Sequence, residues 1–282
     1  VSRQGMTGSV ADELVRLLPG RVSMAEADLL SYSQDQGPVT DRALPLAVVW
    51  PETIQEVQAV LKWASGSMVP VVCRGAGSGV SGGAHATLGC IVLSLERMNA
   101  ILAIRPEDEV AVVEPGVINA DLNSAVAAHG LMFAPDPASY RWSTIGGNVA
   151  TNAGGLRCAK YGVTRDSVLA LDVVLADGTL IHTGHSTFKG VAGYDLTALL
   201  IGSEGTLGIV VGITVRLRYL PESVNTIAAF FPDVRSAAAG VLAVARARVH
   251  RHLTSRQHLH HPPRTHTRLT GSSRFVGNGV LR

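Results

Sequence analysis

Lysine is nearly absent from this 282-residue chain: Lys62, Lys160 and Lys189 stand against 21 arginines. Cysteine is scarce too. Cys73, Cys90 and Cys158 are odd in number and lie in or beside apolar segments. They give no disulfide framework, so reduced thiols and a cytoplasmic location are expected. No apolar run approaches the length of a membrane-spanning helix. The first residues lack a basic stretch followed by an apolar one, so no secretory signal is read. Acidic residues vanish after position 245. Residues 246–282 hold eight arginines and no aspartate or glutamate, while the remainder carries 16 basic and 22 acidic side chains. The net charge of +2 is thus a property of the tail, and nucleic-acid binding is not inferred from it.

What the chain has in quantity is glycine, 30 residues in all. Five fall in Arg74-Gly75-Ala76-Gly77-Ser78-Gly79-Val80-Ser81-Gly82-Gly83, just after the apolar run Val69–Cys73. Without bulky side chains, the backbone N–H groups of such a loop can form a concave nest for a phosphate or pyrophosphate. Gly77-x-Gly79-x-x-Gly82 matches the Rossmann fingerprint, but that motif needs a helix directly after it. Here a second apolar run, Cys90–Leu95, follows within a few residues. A lysine of the Walker type is missing as well. A strand–loop–strand unit is the reading kept.

Along the chain, Ser9 is placed to cap a helix to about Leu18, and residues 31–45 read as a loop. Leu46–Trp50 reads as a strand closed by Pro51. Thr53 and Glu56 form a capping-box pair before Val57, Val60, Leu61 and Ala64 at helical spacing. Val110–Val113 reads as a strand, and Asn119 as the cap of a helix ending near Gly130. Residues 134–155 are the least regular stretch, rich in hydroxyls, asparagine and glycine, and a loop this long is commonly functional. Asp177-Gly178 marks a hairpin between Val168–Ala176 and Leu180–His182. A short helix at Tyr194–Ile201 precedes Gly202-Ser-Glu-Gly-Thr-Leu-Gly208 and a strand, Ile209–Leu217. Thr226–Phe231 and a helical Val234–Ala245 open a further α+β unit.

Three separated blocks resemble one family in order and spacing: Arg74-Gly-Ala-Gly-Ser-Gly; Trp142-Ser-Thr-Ile-Gly-Gly-Asn with Asn152-Ala-Gly-Gly; and Ile201-Gly-Ser-Glu-Gly-Thr-Leu-Gly-Ile-Val. The family is the FAD-linked oxidases of the PCMH/vanillyl-alcohol-oxidase type. Its nearest branch is similar to the flavoprotein subunit of glycolate oxidase and to D-lactate and D-2-hydroxyglutarate dehydrogenases. Cys158-Ala-Lys-Tyr-Gly-Val-Thr-Arg-Asp and Phe188-Lys-Gly-Val-Ala-Gly-Tyr-Asp-Leu also resemble this branch.

The resemblance implies an α+β, PCMH-type FAD-binding fold of two α+β subdomains over 1–220. It further implies the start of a substrate domain at 221–245; the sequence then departs from the family, the rest of that domain is missing, and the composition of 246–282 reads as an Arg/His-rich, disordered tail. Carried over by position, Arg74, Gly75, Ala76, Gly77, Ser78, Gly79 and Val80 would line the pyrophosphate with Ser139, Ser143, Thr144 and Gly147. Asn152, Gly154 and Gly155 would pack on the cofactor, and Glu204, Ile209 and Val210 would meet it from the last turn and strand. FAD is expected to be non-covalent, because Ser78 occupies the place of the tethering histidine in some relatives, with His85 seven residues further on. The implied reaction is oxidation of a 2-hydroxy acid by hydride transfer to flavin N5, with an iron–sulfur subunit as a possible electron acceptor. The alternative is a flavin-binding remnant without activity. No metal site is expected from the histidine-rich tail, and no catalytic residue is assigned.

Overall fold

The computed structural model describes residues 3–38, 43–187, 189–224, 227–246, 253–255 and 279–281. Two sheets carry the architecture. The first has the order β1 (Val22–Ser23), β2 (Val48–Val49), β4 (Ile91–Ser94), β3 (Val71–Arg74). Here β2, β4 and β3 run parallel, and β1 lies antiparallel at the edge. All four residues of β4 are buried, as suits a central strand between two parallel neighbours.

Helix α3 (Ile54–Gly66) links β2 to β3. Its N-cap is Thr53, whose hydroxyl accepts from Glu56 N. The predicted box closes one residue early, because the Glu56 carboxylate accepts from Glu52 N at 2.8 Å. Val57, Val60, Leu61 and Ala64 form the buried stripe that the spacing predicted. Each buried valine or leucine contributes about 1.5–3 kcal/mol. Helix α1 (Arg3–Leu17) packs on α3 and starts six residues before Ser9. Ser9 therefore lies inside the helix and does not cap it. A short α2 (Glu26–Ser31) follows β1.

The second sheet is antiparallel, with order β5 (Ile101–Arg105), β6 (Val110–Val113), β10 (Ile209–Arg216), β8 (Val168–Val174), β9 (Leu180–Gly184). The hairpin expected at Asp177-Gly178 joins β8 to β9. Strand β5 is a pairing that the sequence reading did not contain. One core lies between this sheet and the helices α4 (Asn119–Ala127), α5 (Ile145–Ala150) and α7 (Leu196–Leu200), with Leu122, Val126, Ile145, Val149, Leu171, Ile213 and Val215 buried together. A second core joins the two sheets: Val174, Ile209 and Val211 pack with Leu14, Val57, Ile91 and Leu93. Strand β7 (Leu131–Met132) pairs with β11 (Arg218–Tyr219), and α6 (Cys158–Tyr161) is a single turn.

Two expectations change in this half. Asn119 is the first helical residue of α4, not its cap, and its amide donates to the Pro135 carbonyl at 3.0 Å. The stretch 134–155 is not one loop, since α5 lies within it. Thr144 caps that helix by accepting from Gly147 N. Beyond the second sheet, β12 (Ile227–Ala229) and α8 (Val234–Arg246) fall where a further α+β unit was read. Most of 246–282 lies outside the described residues. Within it, β13 (Leu253–Ser255) and β14 (Gly279–Leu281) pair with each other, and β14 pairs with β12.

Candidate functional site

The glycine loop is the connection from β3 to β4. Neighbouring parallel strands are usually joined through a helix, yet residues 75–90 contain none, so the Rossmann reading fails on the structure as it did on the sequence. Among the described residues, no backbone N–H from Gly75 to Gly83 donates to a protein acceptor. These donors surround one side of a cavity of about 580 Å³.

Arg74 sets the loop's starting geometry from below. Its Nη1 donates to the Gln34 carbonyl at 2.8 Å, and the guanidinium stacks 5.3 Å from the Tyr32 ring centroid. Burial lowers its pKa from the ordinary arginine value. Gly77, at φ +65°, turns directly over this guanidinium, leaving no space for a Cβ. Tyr32 in turn donates to Glu96 at 2.6 Å, and its hydroxyl pKa is raised, chiefly by burial.

The opposite wall comes from the second subdomain: Pro137, Ala138, Ser139, Trp142 and, from α5, Gly147, Asn148 and Ala150. The two walls touch at Gly75, where a Cβ would lie 2.4 Å from Thr144 Oγ1. Glu204, at φ +51°, closes one end. Its N–H is held by the Ala150 carbonyl at 2.9 Å, and its carboxylate reaches Gly83 across the cleft. A smaller adjoining pocket of about 50 Å³ is bordered by Leu95, Pro115, Thr144 and Val210. It shares Cys73, Gly75, Gly147, Ala150 and Glu204 with the main cavity. Burial pushes the Cys73 thiol up to about 12, although the residue borders both spaces.

The structure therefore gathers Gly75, Ala76, Gly77, Ser78, Gly79, Val80, Ser139, Gly147 and Glu204 on one cavity, with Thr144 and Val210 on its side pocket. The remaining predicted site residues stand off these walls. Arg74 supports the loop from beneath. Ser143 is buried behind the wall, with its Oγ unpartnered among the described residues. Ile209 belongs to the core between the sheets. Asn152 turns its Oδ1 to Arg165 N, Gly154 sits by Cys158, and Gly155 packs on the Asp136 carbonyl. Those three fasten the segment to its own subdomain.

Sequence reasoning missed Asp35, Gln36, Trp142, Asn148 and Thr151 on the cavity wall. For Asn148 the signal was at hand, since it directly follows Gly146-Gly147 in a motif already singled out. For Asp35 it was not: its contacts with the glycine loop, at Ala84 and His85, lie far along the chain.

Residues 45–184 match the family of the FAD binding domain. That segment is an FAD binding domain. The glycolate oxidase subunit GlcD of Bacillus subtilis (strain 168) is 43% identical over 245 residues, covering 86% of this chain and 52% of its own. A D-lactate dehydrogenase of Archaeoglobus fulgidus is 42% identical over 219 residues, covering 77% and 49% respectively. The chain thus spans about half the length of the curated relatives it matches. A crystal structure of p-cresol methylhydroxylase with substrate bound shares the fold, with a TM-score of 0.77 at 24% identity, over 88% of this chain and 50% of the other.

The site's own chemistry fits an FAD. A dinucleotide's two phosphates need donors, and among the described residues this cleft offers backbone N–H groups in place of lysine or arginine on its wall. Asn148 is 2% exposed and borders the cavity, and its Nδ2 has no partner among the described residues. Leaving such a donor unpaired costs about 1–3 kcal/mol, which a bound acceptor would recover.

Proposed function

We propose that this chain is the cofactor-binding part of an FAD-dependent enzyme that oxidises a small 2-hydroxy acid of the glycolate or D-lactate class. The observation that carries the reading is the cleft between two sheets, lined by uncommitted N–H groups and an orphaned buried asparagine amide. The names of two curated relatives supply the substrate class. Bound FAD would supply the hydride acceptor, at flavin N5. The chain's own part is to hold the phosphates on the 75–83 loop, to wall the cleft with Trp142 and Ala138, and to close one end with Glu204.

FAD is held without a covalent bond in this reading. The 75–83 loop contains no histidine, and His85 turns its imidazole to Asp35. Residues 221–245 start a substrate domain, a role that β12 and α8 suit. A second subunit that accepts electrons belongs to the same proposal, supported by the word "subunit" in a relative's name. Three free cysteines suit a reducing, cytoplasmic setting.

A second reading has its own support. Among the described residues, the cavity wall carries Asp35 and Glu204 but no histidine, lysine or arginine, so these residues present neither a cation for a substrate carboxylate nor a base of near-neutral pKa. A flavin-binding unit without turnover is the chemistry of such a wall alone. One experiment separates the two. The expressed chain is examined for a flavin absorbance spectrum, and glycolate or D-lactate is then added anaerobically. Bleaching of the bound flavin supports the enzyme. A bound flavin that no 2-hydroxy acid bleaches leaves only the binding unit, and absence of flavin sinks both.

A further inference from the structure

Residues 33–36 run alongside the glycine loop and bond to it at every position. The Ser33 carbonyl accepts from Ala86 N at 2.8 Å, and the Gln34 carbonyl accepts from Arg74 Nη1 at 2.8 Å. Gln36 N donates to the Gly79 carbonyl at 2.9 Å. Between them, Asp35 sends its carboxylate into the loop, where Oδ2 accepts from Ala84 N at 3.4 Å and Oδ1 from Gly37 N at 2.7 Å. His85 Nε2 lies 2.9 Å from Asp35 Oδ1, an ion-pair distance without a hydrogen bond's alignment. The Asp35 side chain is 2% exposed.

A buried carboxylate is electrostatically wrong for the wall of an anion site, because it repels a diphosphate. Its cost is recovered only if it is paired and hydrogen-bonded. Asp35 is hydrogen-bonded by Gly37 N and, at the far end of the loop, by Ala84 N, with the His85 imidazole beside its Oδ1. Its bonds and those of its neighbours fall on the start, middle and end of the glycine segment, and they leave the N–H groups from Gly75 to Gly83 uncommitted. Residues 33–36 thus act as a strap that holds the loop open in a donor-presenting shape.

We propose that Asp35 is a positioning residue for the phosphate-binding loop, braced by the His85 imidazole beside it, so that the loop is preorganised before any ligand arrives. Preorganisation raises affinity by removing the ordering cost at the moment of binding. The proposal rests on the flavin reading for its ligand, but the shape of the empty loop can be measured without one.

The test uses the full chain freed of flavin, with Asp35→Ala, Asp35→Asn and His85→Leu variants. FAD affinity is read by flavin fluorescence, stability by thermal unfolding, and loop order by amide hydrogen exchange over residues 75–86. For Asp35→Ala the expected result is a rise in Kd of about tenfold or more, the worth of a lost hydrogen bond to a charged group. Faster exchange should be confined to the loop. Asp35→Asn, which keeps an oxygen for Gly37 N, should recover part of both effects. His85→Leu should raise Kd without breaking the backbone bonds, and it decides the matter if Asp35→Ala does not fold. Unchanged Kd and unchanged loop exchange, even with a lower Tm, would overturn the proposal by reducing Asp35 to a structural role. Should the unaltered chain bind no FAD, the flavin reading falls, and hydrogen exchange alone still decides whether Asp35 orders the loop.

Discussion

Gly75→Ala is the sharpest test of how the two subdomains meet. The new Cβ would lie 2.4 Å from Thr144 Oγ1. That oxygen cannot simply swing away, because Thr144 is 2% exposed and accepts from Gly147 N at 3.1 Å to cap α5. Overpacking a close contact costs about 1–3 kcal/mol, and losing a cap costs about 1 kcal/mol. The φ of Gly75 is not in the left-handed region, so alanine also gains about 0.4–1 kcal/mol by restricting the unfolded chain. The net expectation is a loss of about 2–3 kcal/mol, read from urea unfolding of the flavin-free chain. The mechanism predicts more than a size. Thr144→Ala alone should cost about 1 kcal/mol as a lost cap. In the double variant the offending oxygen is gone, so the combined cost should fall well below the sum, with a coupling of about 1–2 kcal/mol. If the two changes add to within about 0.5 kcal/mol, the contact between β3's loop and α5 is not what the geometry says.

Three further outcomes are expected. Asn148→Ala should raise the FAD Kd about tenfold, the price of one donor to a charged acceptor, while leaving the flavin-free Tm nearly unchanged, because Nδ2 has no protein partner to lose among the described residues. The raised Cys73 pKa makes stability depend on alkaline pH. The neutral thiol is favoured in the folded chain, so its contribution is complete below the unfolded value of about 8.5 and is lost as pH rises towards about 12. Urea unfolding across that window should show a downward slope that Cys73→Ala flattens. Acid precipitation of the flavin-loaded chain should release the yellow colour to the supernatant, and colour retained in the pellet would refute non-covalent binding.

The parts of the fold legible in the sequence were those fixed by local rules. Thr53 with the Val57, Val60, Leu61, Ala64 stripe, and Asp177-Gly178 between two apolar runs, state their structures within a few residues. Helix α5 did not, because Gly146-Gly147 lowers intrinsic helix propensity. It forms because Thr144 caps it and because Ile145 and Val149 are buried against the second sheet. The candidate site divides the same way. The glycine run announces a loop of free donors, but Asp35 meets Ala84 at a separation of 49 residues. No local pattern carries such a contact. Arg74 was assigned to the cavity by position in a motif, whereas burial and the Gln34 carbonyl turn it beneath the loop.

The cleft has one wall from each subdomain, and this gives its occupant a mechanical role as well as a chemical one. A molecule seated there bridges a seam that the protein itself closes at the core of Val174, Ile209 and Val211, at the Gly75–Thr144 touch point and where Gln58 Nε2 donates to the Gly178 carbonyl at 2.7 Å. Ligand present at a hundred times its Kd adds about 2.7 kcal/mol of stability, comparable to deepening that core by a buried leucine. A flavin-free chain is therefore expected to open at the seam more readily than a loaded one, and faster limited proteolysis without FAD is the measurement that checks it.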